Sequence, residues 1–247
     1  MLKYTTPLTN NLRLISSLMI ASLMASPLAL AMETDDPLVT QLTVDKFEKR
    51  HSINDKSAQP FAWEAEAWLG YDINKLVFKT EGERASGKTE SAELQGLIRS
   101  AIAPYWNIQM GMRHDFNPEP SQNWAVIGLQ GMAPYFIETD LNLFITNGKQ
   151  TNLRLSAEYE AMITQQLVLS PSAEINLYGK NDEVRGIGSG ISSMEFGVRL
   201  AYEIRREFAP YIGINWEQTF GKTADYARHE GESTNDIQLV AGVRFWF

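Results

Sequence analysis

Apolar and polar positions alternate along most of this chain, in runs separated by turns and loops. Leu76 and Phe78 oppose Lys75 and Lys79, while Leu94, Ile98 and Ile102 oppose Glu93, Gln95 and Arg99. Trp106, Ile108, Met110 and Met112 oppose Asn107, Gln109, Gly111 and Arg113. Further on, Leu153, Leu155 and Tyr159 oppose Arg154, Glu158 and Glu160, and Phe196, Val198 and Leu200 oppose Glu195 and Arg199. A period of two puts alternate residues on opposite faces of a sheet. Segments starting near Lys75, Ser91, Tyr105, Gln122, Tyr135, Gln150, Gln165, Ser193, Ala209 and Thr234 predict ten strands. Residues 61–71 (FAWEAEAWLGY) alternate as well, which leaves twelve as the alternative count.

The connections alternate too. Short ones fall at Ala103-Pro104, at Ala133-Pro134, at residues 162–164 and around Glu207. Longer ones fall at 82–90, 116–121, 181–191 and 220–233, with a tighter Asn147-Gly148 among them. One end of the sheet is therefore tightly turned and the other looped, as in an up-and-down meander.

The polar face separates a soluble barrel from a transmembrane one. Soluble barrels fill their interior with apolar side chains. Here the apolar set carries Trp, Tyr and Phe towards segment ends, and the polar set mixes Glu with Arg. That pattern predicts an all-β antiparallel transmembrane β-barrel of the bacterial outer membrane, with a lipid-facing belt, aromatic girdles and a polar lumen. Inward-facing charges are expected at Glu138, Asp140, Glu158, Glu160, Glu174, Glu195, Glu203 and Glu217, with Arg99, Arg113, Arg154, Arg199, Arg205 and Arg244 among them. Ion-pair networks are the ordinary reading of such a lumen; an acidic-rich one also favours cations.

The front of the chain fits export. Lys3 and Arg13 precede an uncharged run at residues 14–31 that closes on Ala29-Leu30-Ala31, a signal-peptidase pattern. Residues 1–31 are expected to be a signal peptide, residues 32–60 a disordered, periplasmic, acidic tail, and residues 61–247 the barrel. Losing Lys3 and Arg13 makes the chain two charges more negative than its formal −8, which argues against nucleic acid as a partner. Without cysteine there is neither a disulfide nor a thiolate metal site. The last segment, DIQLVAGVRFWF, ends on Phe247 and resembles the signal read by the barrel insertion machinery. Both termini and the short turns are expected on the periplasmic side, and outer-membrane lipid around the belt.

The longer segments carry a resemblance. IAPYWNIQMGMRHDFNP, NWAVIGLQGMAPYFIETD, RREFAPYIGINWEQTFGKTADYAR and STNDIQLVAGVRFWF look like the copper-resistance protein B family, and WLGYDINKLVFKTEGE is similar to its first barrel segment. The resemblance covers residues 61–247. It implies an outer-membrane barrel that binds copper ions or aids their movement, beside a periplasmic multicopper oxidase of the same resistance system. Members commonly carry a Met- and His-rich stretch before the barrel; here that region offers only Met32 and His51.

Soft thioethers suit Cu(I), and imidazole takes either copper oxidation state. The candidate copper ligands are therefore His114, Met132, His229, Met32 and His51. Met110 and Met112 share a row with Trp106 and Ile108 and read as belt residues. Two rival functions follow from the same residues. One is a small general porin or purely structural barrel. The other is a lipid esterase built on His114, Asp115 and Ser121, although no nucleophile signature surrounds Ser121. The expectation is no catalytic step.

Overall fold

The computed structural model describes residues 36–247, except 55–58, 86, 149 and 232. Residues 1–35, and with them the expected signal peptide and Met32, lie outside the described residues. The strands are β1 (Val39–Ser52), β2 (Phe61–Gly70), β3 (Asn74–Ala85), β4 (Lys88–Ala103), β5 (Trp106–Asn117), β6 (Gln122–Ala133) and β7 (Ile137–Ile145). They continue as β8 (Thr151–Tyr159), the two-residue β9 (Ala161–Met162), β10 (Leu167–Tyr178), β11 (Gly190–Tyr202), β12 (Phe208–Thr219) and β13 (Asn235–Trp246). A 3-10 turn, Pro134–Phe136, joins β6 to β7, and helix α1 (Gly221–Glu230) lies between β12 and β13.

Each strand pairs antiparallel with its neighbours. The sheet closes where β1 meets β13, Lys49 opposite Ala241 and His51 opposite Leu239. Leu42 and Phe247 exchange both backbone hydrogen bonds at this seam, at 3.0 and 2.9 Å. β9 pairs with β10 on the side that β8 occupies further along, so the two form one wall element interrupted near Glu160. The result is a closed barrel of twelve strands. Closure satisfies every strand edge, which hydrocarbon requires.

The count corrects the expectation of ten. The extra strands are β2, whose alternation is plain, and β1, which lies within the segment read as a disordered tail. A bulge explains why β1 escapes a period-two reading. The register shifts between Val44 and Glu48, so the adjacent Asp45 and Lys46 both face the lumen while Val44 and Phe47 do not. The barrel therefore starts at Val39, not at residue 61. Residues 82–90 are a second correction: Gly82 pairs with Ala92, Arg84 with Thr89 and Ala85 with Lys88, so this Gly- and charge-rich stretch extends a hairpin.

Belt and lumen separate as the alternation requires. Ile98, Met112, Val198, Ile212 and Ile214 are exposed on the outer face. Aromatic residues flank this belt at both ends: Tyr105, Tyr135 and Phe136 at the short turns, Phe61 and Trp63 towards the loops. Trp63 lies across Gly82 of the next strand so closely that a Cβ there would meet its ring at 2.3 Å. Inside, Val77, Leu97, Trp124, Val126 and Phe144 form a dry cluster on one wall. A smaller apolar cluster joins Ala201, Ala209 and Tyr211, and most of the other buried side chains are polar.

Candidate functional site: an acidic lumenal cavity

Cross-strand register aligns carboxylates into two ladders. Glu64, Glu81, Glu93 and Asp115 stand directly opposite one another across β2 to β5. Glu174, Glu195, Glu217 and Asp236 do the same across β10 to β13. Like charges in directly opposed positions are destabilising, so the ladders need cations. Arg154 supplies one that touches both: it lies 2.6 Å from Glu81, 3.1 Å from Glu93 and 3.6 Å from Glu174. Arg113 meets Glu93 at 2.7 Å and Asp115 at 2.5 Å. Arg50 meets Glu48, Glu83 and Glu195 at 2.9, 3.2 and 3.3 Å. Glu48, fully buried, also accepts from Arg199 and from the Tyr211 hydroxyl, each at 2.9 Å. The guanidinium groups of Arg113 and Arg154 both stack on Phe144.

These contacts lie towards the loop end. There Arg185, from the loop between β10 and β11, is buried and reaches Asp115 at 3.0 Å and the Gln122 amide. Helix α1 backs that loop through Thr223, which bonds Gly188 N and Ser192 Oγ at 2.8 Å each.

On the turn side of this layer the lumen widens into a cavity of about 1200 Å³. Its lining reaches Met162, Gln165, Gln166, Arg206 and Trp246, all at the short-turn end. Twelve carboxylates line it against six cationic side chains. Several are paired: Lys46 with Glu64 at 2.8 Å, Lys79 with Asp140 at 2.6 Å, and Arg244 with Glu160. Asp45, Glu138, Glu158 and Glu203 carry no salt bridge among the described residues. Glu138 and Glu158 are themselves direct cross-strand neighbours.

The expected inward charges take their places on the lumenal face, with one exception: Arg205 sits in the turn between β11 and β12 and is exposed. Asp45, Lys46, Glu48 and Arg50 were not foreseen, because β1 was read as a tail. The copper-ligand candidates are scattered. His114 is on the outer face of β5, bonded through Nδ1 to Asn123 Oδ1 at 2.7 Å. His51 is exposed on the outer face of β1, and His229 is exposed on α1. Met132 faces the lumen opposite Glu138. None of these four meets another. Among the described residues no three His, Cys, Asp or Glu side chains form a ready-made metal site. His114 and Asp115 point to opposite sides of β5, Asp115 being buried in the lumen, so they cannot act on one nucleophile.

Comparison with known proteins places this geometry in a family. The sequence model of the copper resistance protein B precursor (CopB) matches residues 38–247. The chain belongs to the copper resistance protein B family. That match starts one residue before β1, in agreement with a barrel that begins there. Copper resistance protein B of Escherichia coli is 44% identical over 204 residues, covering 83% of this chain and 68% of its own length. A homologue from Pseudomonas syringae pv. tomato is 45% identical over 213 residues, covering 86% and 71%. Among solved structures the NanC porin superposes with a TM-score of 0.55 at 9% identity, covering 84% of this chain and 99% of that one, which supports the barrel fold alone. With its apolar belt and closed sheet, this family member is an outer-membrane barrel, and β1 begins and β13 ends at the end of the barrel that carries the short turns.

Proposed function

We propose that this copper-resistance barrel collects copper ions from the periplasm in its acidic cavity, holding them loosely as cations and performing no catalytic step. The observation that carries this reading is the excess of carboxylates in a cavity that reaches the short-turn end, with Asp45, Glu138 and Glu158 forming no salt bridge among the described residues. A concave site lined by one sign of charge focuses its field and raises the local concentration of counter-ions. The ligand chemistry favours Cu(II) over Cu(I): carboxylate and amide oxygens dominate the cavity lining, and the thioethers near it are Met162 at the rim and Met132 opposite Glu138. Residues 1–31 direct export, and a periplasmic multicopper oxidase works beside the barrel, as the family resemblance implies.

Replacing Asp45 by Asn and both Glu138 and Glu158 by Gln tests the reading in cells. The triple variant is expected to assemble and yet to lose copper tolerance. Its barrel should gain a few tenths of a kcal/mol in stability, since opposed like charges cost about that much. Opposite signs for function and stability distinguish a cation-collecting role from a structural one. Unchanged tolerance in assembled protein contradicts the proposal.

A further inference from the structure

The lysines and arginines of the strands turn inward or, for Lys88, stand at a hairpin tip, with two exceptions among the described residues: Lys49 of β1 and Arg84 of β3. Both are exposed on the outer face, Lys49 between the inward Glu48 and Arg50, Arg84 between the inward Glu83 and Ala85. Register puts the two in one row near the loop end. Lys49 stands directly opposite Phe61 of β2, Phe61 opposite Arg84, and Arg84 opposite Thr89 of β4. With neighbouring strands about 4.8 Å apart, the two cations flank Phe61 on backbones about 10 Å apart. His51, also exposed, follows two positions above Lys49 on the same face.

These cations differ from those of the lumen in lacking an opposite charge. Arg50, Arg113, Arg154 and Arg199 each hold a carboxylate. Among the described residues Lys49 forms no salt bridge, and Arg84 donates to the Gly87 carbonyl at 3.1 Å. The carboxylates of β1, β2 and β3 all face the lumen. One step towards the middle of the belt, Phe47 stands opposite Trp63, Trp63 opposite Gly82, and Gly82 opposite Ala92. Trp63 is held across Gly82, its Nε1 donating to Thr80 Oγ1 at 3.4 Å. Phe47 packs edge-on against Phe61 with ring centroids 4.7 Å apart. Two unpaired cations therefore top an aromatic, apolar wall.

Outer-membrane barrels carry long loops outside and short turns in the periplasm, which sets this row at the headgroup level of the outer leaflet. We infer that the outer face of β1 to β3 seats one phosphorylated glycolipid of that leaflet: Lys49 and Arg84 clamp its phosphate from either side of Phe61, and Phe47, Trp63 and Gly82 take its acyl chains. The guanidinium fork meets phosphate oxygens in a bidentate way and the ammonium adds a point charge. A phosphomonoester carries close to two negative charges and so answers both cations, whereas the phosphodiester of an ordinary phospholipid carries one. The seat lies on the opposite side of the wall from the acidic cavity and does not depend on the collecting role. Lys49 is also opposite Ala241 of β13, so a lipid clamped here braces the strand that closes the barrel.

The test uses the full mature protein refolded in detergent and followed by native mass spectrometry, with diphosphoryl lipid A as the probe. Dephosphorylated lipid A and phosphatidylglycerol serve as comparisons. The unaltered barrel is expected to retain one diphosphoryl lipid A and neither comparison lipid at the same concentration, a result that needs no variant to fold. Lys49→Gln with Arg84→Gln should weaken retention roughly thirtyfold, about fivefold for each basic residue beside an anionic headgroup. Lys222→Gln with Arg228→Gln removes the same charge from exposed positions of α1 and should bind as the unaltered protein does. Absence of lipid A from the unaltered barrel, equal retention of either comparison lipid, unchanged binding in Lys49→Gln with Arg84→Gln, or an equal loss in the α1 variant overturns the seat.

Discussion

Deleting residues 36–52 is expected to abolish the folded barrel altogether. β1 is antiparallel to both β13 and β2, so β2 and β13 run parallel to each other. Without β1 the remaining strands could close only through a parallel seam for which no register exists in this fold. Left open, two edges of unpaired N–H and C=O groups would face lipid, and each unsatisfied group there costs several kcal/mol. The deletion should therefore yield protein with no heat-modifiable band on cold electrophoresis and no inserted species in membranes. A folded, inserted barrel lacking Val39–Ser52 would contradict the twelve-stranded seam.

The same strand shows where sequence patterning stops being informative. β4, β5 and β11 place Glu93, Arg113 and Arg199 inward and Leu94, Met112 and Val198 outward, as period two demands. β1 breaks that rule at Asp45 and Lys46, because a bulge lets two consecutive residues face the lumen. Its outer face also bears Lys49 and His51 towards the loops, so the apolar alternation of Leu42 and Val44 does not continue past Phe47. The lumenal acids of β10 to β12 were legible for the opposite reason: Glu174, Glu195 and Glu217 sit in unbroken alternation. What no linear pattern reveals is register. That Glu174, Glu195, Glu217 and Asp236 fall side by side, or that Lys79 reaches Asp140 across the lumen, depends on strand offsets set by turns and bulges. Likewise, the His and Met candidates were chosen for ligand chemistry alone, and the faces of their strands separate them.

Arg154→Ala is expected to be the most destabilising single substitution in the lumen. Among the described residues, Arg154 is the one cation whose salt bridges join both carboxylate ladders, and its side chain is 12% exposed. Its removal leaves Glu81 and Glu174 without the partner they share, while Glu93 retains Arg113. It also strips one guanidinium from the face of Phe144. Breaking a buried pair by removing one partner costs about 3–5 kcal/mol, and water in the adjoining cavity places this case near the lower end. Arg154→Lys should recover only part of the loss, because an ammonium has neither the planar fork nor the stacking face. Urea unfolding of refolded barrels, read by tryptophan fluorescence, checks both variants. Glu81→Gln and Glu174→Gln combined with Arg154→Ala should restore much of the stability, since the uncompensated charges are then gone. A midpoint for Arg154→Ala within error of the unaltered protein would mean that the ladders are stabilised by water alone.

The ladders and the cavity divide the lumen into two functions along one axis. Towards the loops, Arg50, Arg113, Arg154 and Arg185 pair with the carboxylates, Arg154 reaching into the cavity lining. Towards the short turns, the same kind of carboxylate is left in excess around open space. A lumen whose acids are ion-paired towards the loops and outnumber cations around a cavity towards the short turns is suited to holding cations.

Titration of Cu(II) into the folded mature protein, at low and high salt and beside a parallel Cu(I) titration, tests that claim most directly. The account predicts several weak Cu(II) equivalents that are lost as salt screens the cavity, diminished when Asp45, Glu138 and Glu158 are neutralised, with Cu(I) bound far less. Absence of Cu(II) binding by the folded barrel, or a preference for Cu(I) that survives neutralising those three carboxylates, would contradict it.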